Sequence, residues 1–308
     1  MKAQKQYLPR QANNNWWKWL ARQIRRPGIL RSIFAFALFS VAPARATIYV
    51  TADNGSTNLF GTVDLASGQF SQIATTGPLF YALTSGAGGK IFGADLNSGH
   101  LFAISKSGAT TKFGSSTAPD AFQGLAHSRS TGNFLAANVG QTTVTLYSIA
   151  GDGNSHSLVG EMVGANSPGL FPTGNLVFGP AGQLYFDYLA ADSTSAALYT
   201  VNTSTGSLTA VGNGLGTDIL TLFSDGNTLY GIDTDFTPND APLGIYTINT
   251  TTGLATQVST LIGLPGDYFL DAATVSTPDM GSTFGLLSLA LTALLGATRF
   301  RQCVRVTG

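Results

Sequence analysis

"DYFLDAATV", Asp267–Val275, is the stretch that decides how this chain folds. It reads as one short strand, and no turn and returning strand follow it before Thr277 and Pro278. It resembles "DILTLFSDG" (Asp218–Gly226), which opens a four-strand unit. A strand of the opening kind therefore stands alone at the end of the body. The beginning of the body has the opposite defect. "ATIYVTADN" (from Ala46) and "LFGTVD" (from Leu59) read as later strands of a unit, with no opening strand before them. Each end supplies what the other lacks, and the simplest arrangement that joins them is a ring.

The interior repeats. A hairpin recurs as "LFGTVDLASGQFSQIA" from Leu59, "LFAISKSGATTKFG" from Leu101, "LYSIAGDGNSHSLVG" from Leu146, "LYTVNTSTGSLTAVG" from Leu198 and "IYTINTTTGLATQVS" from Ile245, at spacings of 42, 45, 52 and 47 residues. β-Branched and aromatic residues alternate, and Ser/Thr/Asn/Gly turns interrupt them, as hairpins require. A second hairpin precedes four of the five copies. Four-stranded units at this period predict an all-β, five-bladed β-propeller whose C-terminal strand completes the first blade. A pair of β-sandwiches also suits short strands and glycine turns, but it gives no reason for complementary halves at the two ends. The blades resemble those of the broad family of propellers with "LYxI(D/N)xxTG" units. That resemblance covers the body and implies a fold, since propellers include sugar-binding, scaffold and enzymatic members.

Charge divides the chain of 308 residues into three parts: 1–46, 47–276 and 277–308. The first 45 residues hold nine Lys/Arg and no acid, whereas 46–276 holds four bases against fifteen acids, a net charge of −11. An acidic body excludes nucleic acid as a partner, because phosphate must be neutralised by Lys/Arg. The single cysteine, Cys303, excludes an intramolecular disulfide and leaves the body without a thiol ligand. The N-terminus has a basic start, the apolar run "SIFAFALFSVA" (Ser32–Ala42) and an A-x-A site at Ala44-Arg45-Ala46, which predicts a secretory signal peptide cleaved after Ala46. Near the other end, Met280–Thr298 is nineteen residues without a charge. As a helix it reaches ~28 Å, close to a hydrocarbon core of ~30 Å. The arginines that follow predict a span held in the inner membrane with its end on the cytoplasmic side.

Pro278, Asp279, Gly281, Ser282 and Thr283, then the apolar span, then Arg299 and Arg301, resemble the bacterial PEP-CTERM sorting signal in its VPD-type variant. The resemblance covers roughly the last thirty residues. It implies processing by an exosortase, a membrane transpeptidase-like enzyme, and delivery to the cell surface or an exopolysaccharide matrix. Thr277 stands where that motif usually has Val, and "QCVRVTG" extends the basic end.

Catalytic chemistry finds little footing. No G-x-S-x-G elbow is present, the three histidines (His100, His127, His156) fall in three different units, and Glu161 is the lone glutamate. His127 is expected on a channel-lining strand with Arg129 on the same face. Gly212–Gly216 is glycine-rich without a following helix to bind phosphate, and reads as a crossover between blades. More pointed is a recurring acid. The second strand of four units ends in Asp53, Asp95, Asp187 or Asp233, with Asn138 in the remaining unit, and Asp120, Asp218 and Asp267 precede opening strands. The loops concerned emerge on one face. Two readings stand side by side: Asx side chains bonding turn amides, or an acidic face that attracts a cation or binds a glycan. Asp233, Asp235 and Asp240 offer hard oxygens of the kind Ca²⁺ takes, without the glycine and final glutamate of an EF-hand. The expectation is a non-catalytic, exported binding or scaffold protein, with exopolysaccharide or a surface protein as partner. The alternative is an extracellular glycan hydrolase using Asp residues at the channel mouth.

Overall fold

The computed structural model describes residues 46–53, 58–117, 122–139, 143–162, 174–188, 196–233, 243–264 and 269–275. All lie in one compact unit, Arg45–Thr277. The predicted signal peptide up to Arg45, the sorting motif and the apolar span after it fall outside the described residues, as do Asp120, Asp235, Asp240 and Asp267. Among the described residues no helix is long and apolar enough to cross a membrane.

The described residues form five four-stranded antiparallel sheets. The first blade contains β1 (Thr47–Asp53), β2 (Asn58–Val63), β3 (Phe70–Thr75) and β20 (Phe269–Val275), in the order β20-β1-β2-β3. The second runs β4 (Phe80–Ser85), β5 (Ile91–Asp95), β6 (His100–Ile104), β7 (Thr110–Thr117); the third β8 (Phe122–His127), β9 (Phe134–Val139), β10 (Val144–Ile149), β11 (His156–Glu161). The fourth is β12 (Leu176–Phe178), β13 (Leu184–Tyr188), β14 (Ala197–Val201), β15 (Leu208–Ala210), and the fifth β16 (Ile219–Asp225), β17 (Thr228–Asp233), β18 (Gly244–Ile248), β19 (Ala255–Thr260). The opening strands pack in a cycle: β20 beside β4, β4 beside β8, β8 beside β12, β12 beside β16, and β16 beside β20. A propeller ring results, with these five strands innermost.

The closing strand behaves as its sequence predicts. β20 pairs antiparallel with β1, with Val50 opposite Ala272 and Asp53 opposite Phe269, while the other edge of β1 pairs with β2, Val50 facing Gly61. The first blade is thus built from both ends of the body, and β1 is not left as an edge, because β20 takes the innermost place that the opening strand holds in every other blade.

The apolar pattern explains where the core sits. Five buried clusters occur, one at each blade-to-blade interface. Phe80, Leu83 and Ile91 meet Tyr49 and Phe60 between blades one and two, and Phe92 meets Leu125 and Phe134 between two and three. Leu135 and Leu146 meet Phe186 and Tyr199 between three and four, and Tyr185 and Leu198 meet Leu222 and Leu229 between four and five. Phe223 and Ile232 meet Val50 and Leu270 where the fifth blade returns to the first. Strands β5 and β13 are buried at every position, whereas the outer strand β11 is exposed or half-buried throughout. A blade's two faces are therefore both interior, which is why the second strands carry apolar residues on both faces ahead of their Asx.

The repeated "(D/N)xxTG" turn has a direct cause. Asn249 Oδ1 accepts the N–H groups of Thr251 (2.9 Å) and Thr252 (3.0 Å), and Asn202 Oδ1 does the same for Ser204 and Thr205. Each turn closes with a glycine amide bonded to the Asn carbonyl, and Gly206 and Gly253 sit at φ of 79° and 75°, where a Cβ is disfavoured.

Candidate functional site

Strand register sets the five recurring Asx residues at one level of the ring. Asp53 stands opposite Phe269, Asp95 opposite Phe80, Asn138 opposite Phe122 and Asp233 opposite Ile219, each partner being the first residue of an inner strand. Asp187 follows Phe186, which faces Leu176 at the start of β12. Four of the five are buried: Asp53, Asp95, Asn138 and Asp187. Asp233 is half-buried, as is Asp218 just ahead of β16.

These carboxylates bind their own chain. Asp95 Oδ1 accepts the Leu79 N–H (2.8 Å), at the approach to β4, while Oδ2 accepts the N–H of Ser98 (3.0 Å) and its hydroxyl. Asp187 Oδ1 accepts the Asn175 N–H (2.6 Å), the equivalent position before β12. Asp233 takes the Gly244 N–H and the Tyr246 hydroxyl (2.8 Å), and the Tyr81 hydroxyl reaches Asp53 at 3.4 Å. Burial, together with the neighbouring carboxylates, raises the Tyr81 and Tyr246 phenols above their ordinary range. The acid at the end of a second strand thus clasps the start of the inner strand or of the following one. This is the local role that Asx chemistry provides.

For the loop suggested as a Ca²⁺ site, Asp233 has both carboxylate oxygens engaged by Gly244 and Tyr246. Among the described residues no three His, Cys, Asp or Glu side chains come together as a metal cluster. The strand face that His127 was expected to share with Arg129 does not extend to Arg129. β8 ends at His127, whose ring packs edge-on against Phe134 (centroids 5.0 Å apart), and Arg129 is exposed in the turn beyond. Burial, the largest influence, lowers the His127 pKa.

A second constellation was not singled out in the sequence. Asp271 sits in the middle of β20, opposite Thr51, and is 1% exposed. Its carboxylate accepts the N–H of Leu83 in the second blade, the N–H of Ala272 (2.7 Å) and the side-chain amide of Asn175, just before β12 in the fourth. Blades one and four are not neighbours, so the Asn175–Asp271 bond passes across the axis of the ring. Thr221 on β16 adds a hydroxyl bond to the Leu270 carbonyl (2.6 Å), and Thr51 one to the Phe80 carbonyl (3.4 Å). Four of the five inner strands are tied at this level. Asp187 lies against the same group through Asn175 and is fully buried.

Burial dominates the electrostatics here. It pushes the Asp187 carboxyl up to about 8, against the opposing pull of the Asn175 N–H. It also raises Asp271 well above the usual carboxylate range, and the charge of Asp187 adds to that, while the N–H groups of Ala272, Leu83 and Asn175 oppose it. The signal available in the sequence was a lone carboxylate in the middle of a strand predicted to be innermost.

No protein-family model matches this chain, and no curated protein sequence matches it. Solved structures do. TolB from Acinetobacter baumannii is 12% identical with a TM-score of 0.46, the match covering 72% of this chain and 55% of that one. A protein of unknown function from Bacteroides thetaiotaomicron is 9% identical with a TM-score of 0.49, covering 73% and 61%. A GH43 glycoside hydrolase is 10% identical with a TM-score of 0.42, covering 60% and 42%. The chain thus spans between two fifths and about three fifths of the length of these proteins. At such identities and scores the likeness carries nothing about activity.

Proposed function

We propose that this chain is an exported, non-catalytic propeller of the cell surface or extracellular matrix, which binds or scaffolds and is sorted through its C-terminal tail. The observation that supports it is the use of the buried and half-buried carboxylates. Asp95, Asp187, Asp233 and Asp271 hold backbone amides, and Asp187 and Asp271 are closed to solvent, so they have no access to a glycosidic bond. A hydrolase needs two carboxyl groups flanking a bound substrate. A rigid ring that presents turns on a body of net charge −11 suits recognition better than turnover. The partners are an exopolysaccharide or a surface protein, with an exosortase-type enzyme acting on Pro278–Thr283 and the inner membrane holding the tail in transit.

The test uses the full chain produced in a bacterium that carries an exosortase system. The reading expects a mature N-terminus at Thr47, surface or matrix localisation that Asp279→Ala abolishes, and polysaccharide binding without release of reducing ends. Reducing ends that appear with the wild type and vanish with Asp218→Asn would establish the hydrolase instead.

A further inference from the structure

Two buried carboxylates, Asp187 and Asp271, are linked through Asn175, and among the described residues no counter-charge meets them. Asp187 and Asp271 are 0% and 1% exposed. Every Lys and Arg among the described residues (Lys90, Lys106, Lys112 and Arg129) is exposed, so none of them reaches this pair. A buried carboxylate is tolerated when it is paired, protonated or bound to a metal. Asp271 has three N–H donors, which stabilise charge without cancelling it.

A second observation concerns unmet oxygens. Asp187 Oδ2 and Asn175 Oδ1 are buried and have no hydrogen-bond partner. Asn175 is 2% exposed and touches both acids, its N–H bonding Asp187 and its side-chain amide bonding Asp271. Two buried acceptor oxygens on two residues bonded to each other, with no donor for either, mark a place where something positive belongs. A water molecule could donate to both but would leave the charge uncompensated. Protons on both carboxyls would cancel the charge but would leave the Asn175 Oδ1 acceptor unmet.

From this geometry we propose that Asp187, Asp271 and Asn175 form a buried axial site for a hard divalent cation, with Ca²⁺ the ion that fits the donor chemistry. The donors are two carboxylates and a carboxamide oxygen, with no sulfur or imidazole, a set that suits Ca²⁺ or Mg²⁺ rather than zinc or copper. Ca²⁺ accepts irregular coordination, whereas Mg²⁺ demands near-octahedral geometry and keeps its waters. A cation at this place would bind blades one and four, which do not touch as neighbours, and would cancel the charge that burial leaves exposed to no solvent. This site is separate from any partner-binding surface and does not depend on the function proposed above.

The experiment is thermal unfolding of the purified full chain after EDTA treatment, with Ca²⁺ added back, alongside elemental analysis of the untreated protein. The expected results are about one Ca²⁺ per chain and a rise in Tm of about 5 °C or more at saturating Ca²⁺. Asp187→Asn should lose that rise, and Asp233→Asn, on the loop considered earlier, should keep it. A wild-type Tm indifferent to Ca²⁺, Mg²⁺ and EDTA overturns the proposal and leaves a proton as the neutralising species. A rise that Asp233→Asn abolishes overturns it as well, by moving the ion to the loop. If Asp187→Asn fails to fold, the wild-type metal content and melting curves still decide.

Discussion

Ring closure can be tested with a covalent bond. Val50 and Ala272 face each other across β1 and β20, and both are buried in the cluster where the fifth blade meets the first. Cysteines at both positions, in a Cys303→Ser background, would lock the two ends of the body together. Val→Cys and Ala→Cys change little volume, so packing is largely kept. The loop closed is roughly 220 residues, and the chain-entropy relation gives about 5 kcal/mol for a loop of that length. Engineered bonds usually deliver less, because native geometry is strained. For a domain of this size a gain of about 2–5 kcal/mol is about 5–15 °C in Tm. The assay compares melting of the Val50→Cys/Ala272→Cys protein with and without reductant, after thiol counting and mass mapping of the cross-linked peptide. Two free thiols under oxidising conditions, or cross-links only between molecules, would refute the pairing of β1 with β20 and the five-blade count along with it.

Three further outcomes follow from the packing. Leu125→Ala opens a cavity at a fully buried position between blades two and three and should cost about 2–5 kcal/mol, measured as a lower urea midpoint at unchanged slope. Asp95→Ala leaves the Leu79 amide without its acceptor and should cost about 1–3 kcal/mol by the same measurement, while Asp95→Asn recovers part of it. In EDTA, stability should fall as pH rises from about 4 to about 8. Burial holds Asp187 near 8 in the folded state against an ordinary 3.8, so across that window the folded protein keeps a proton that the unfolded chain releases. Asp187→Asn should flatten this slope, and an unchanged slope in that variant would place the titration elsewhere.

The ring was legible because its evidence is local. Hairpins announce themselves through alternation and turn residues, and "LYTVNTSTG" and "IYTINTTTG" carry their Asx bonds within four residues. Closure was legible because one end lacked an opening strand and the other had one to spare. The recurring acids were found for the same reason, since they repeat at a fixed place in each blade. What they bind depends on burial, which a single sequence does not state. Of the two readings, the bonds seen for Asp95, Asp187 and Asp233 are those of the turn-stabilising one. Asp271 carries no such signal, although it lies in the very stretch that decides the fold. It does not repeat, and its partners, Leu83 and Asn175, are 188 and 96 residues away in the sequence. Contacts across a ring leave no period. The shared face expected for His127 and Arg129 is not found because two-residue spacing implies one only while the strand continues, and β8 stops at His127.

The shared first blade has a consequence for the order of events in synthesis. β1 emerges first and β20 last, so the inner edge of the first sheet must wait for nearly the whole body before it has a partner. Until then the nascent chain carries a row of unpaired backbone groups, and its earliest hairpin cannot finish maturing. Closure is therefore a late event in the assembly of the body, and the contact that makes it spans the longest separation in the body. Any ribosome stall or premature stop ahead of Phe269 leaves a horseshoe with sticky ends instead of a smaller wheel.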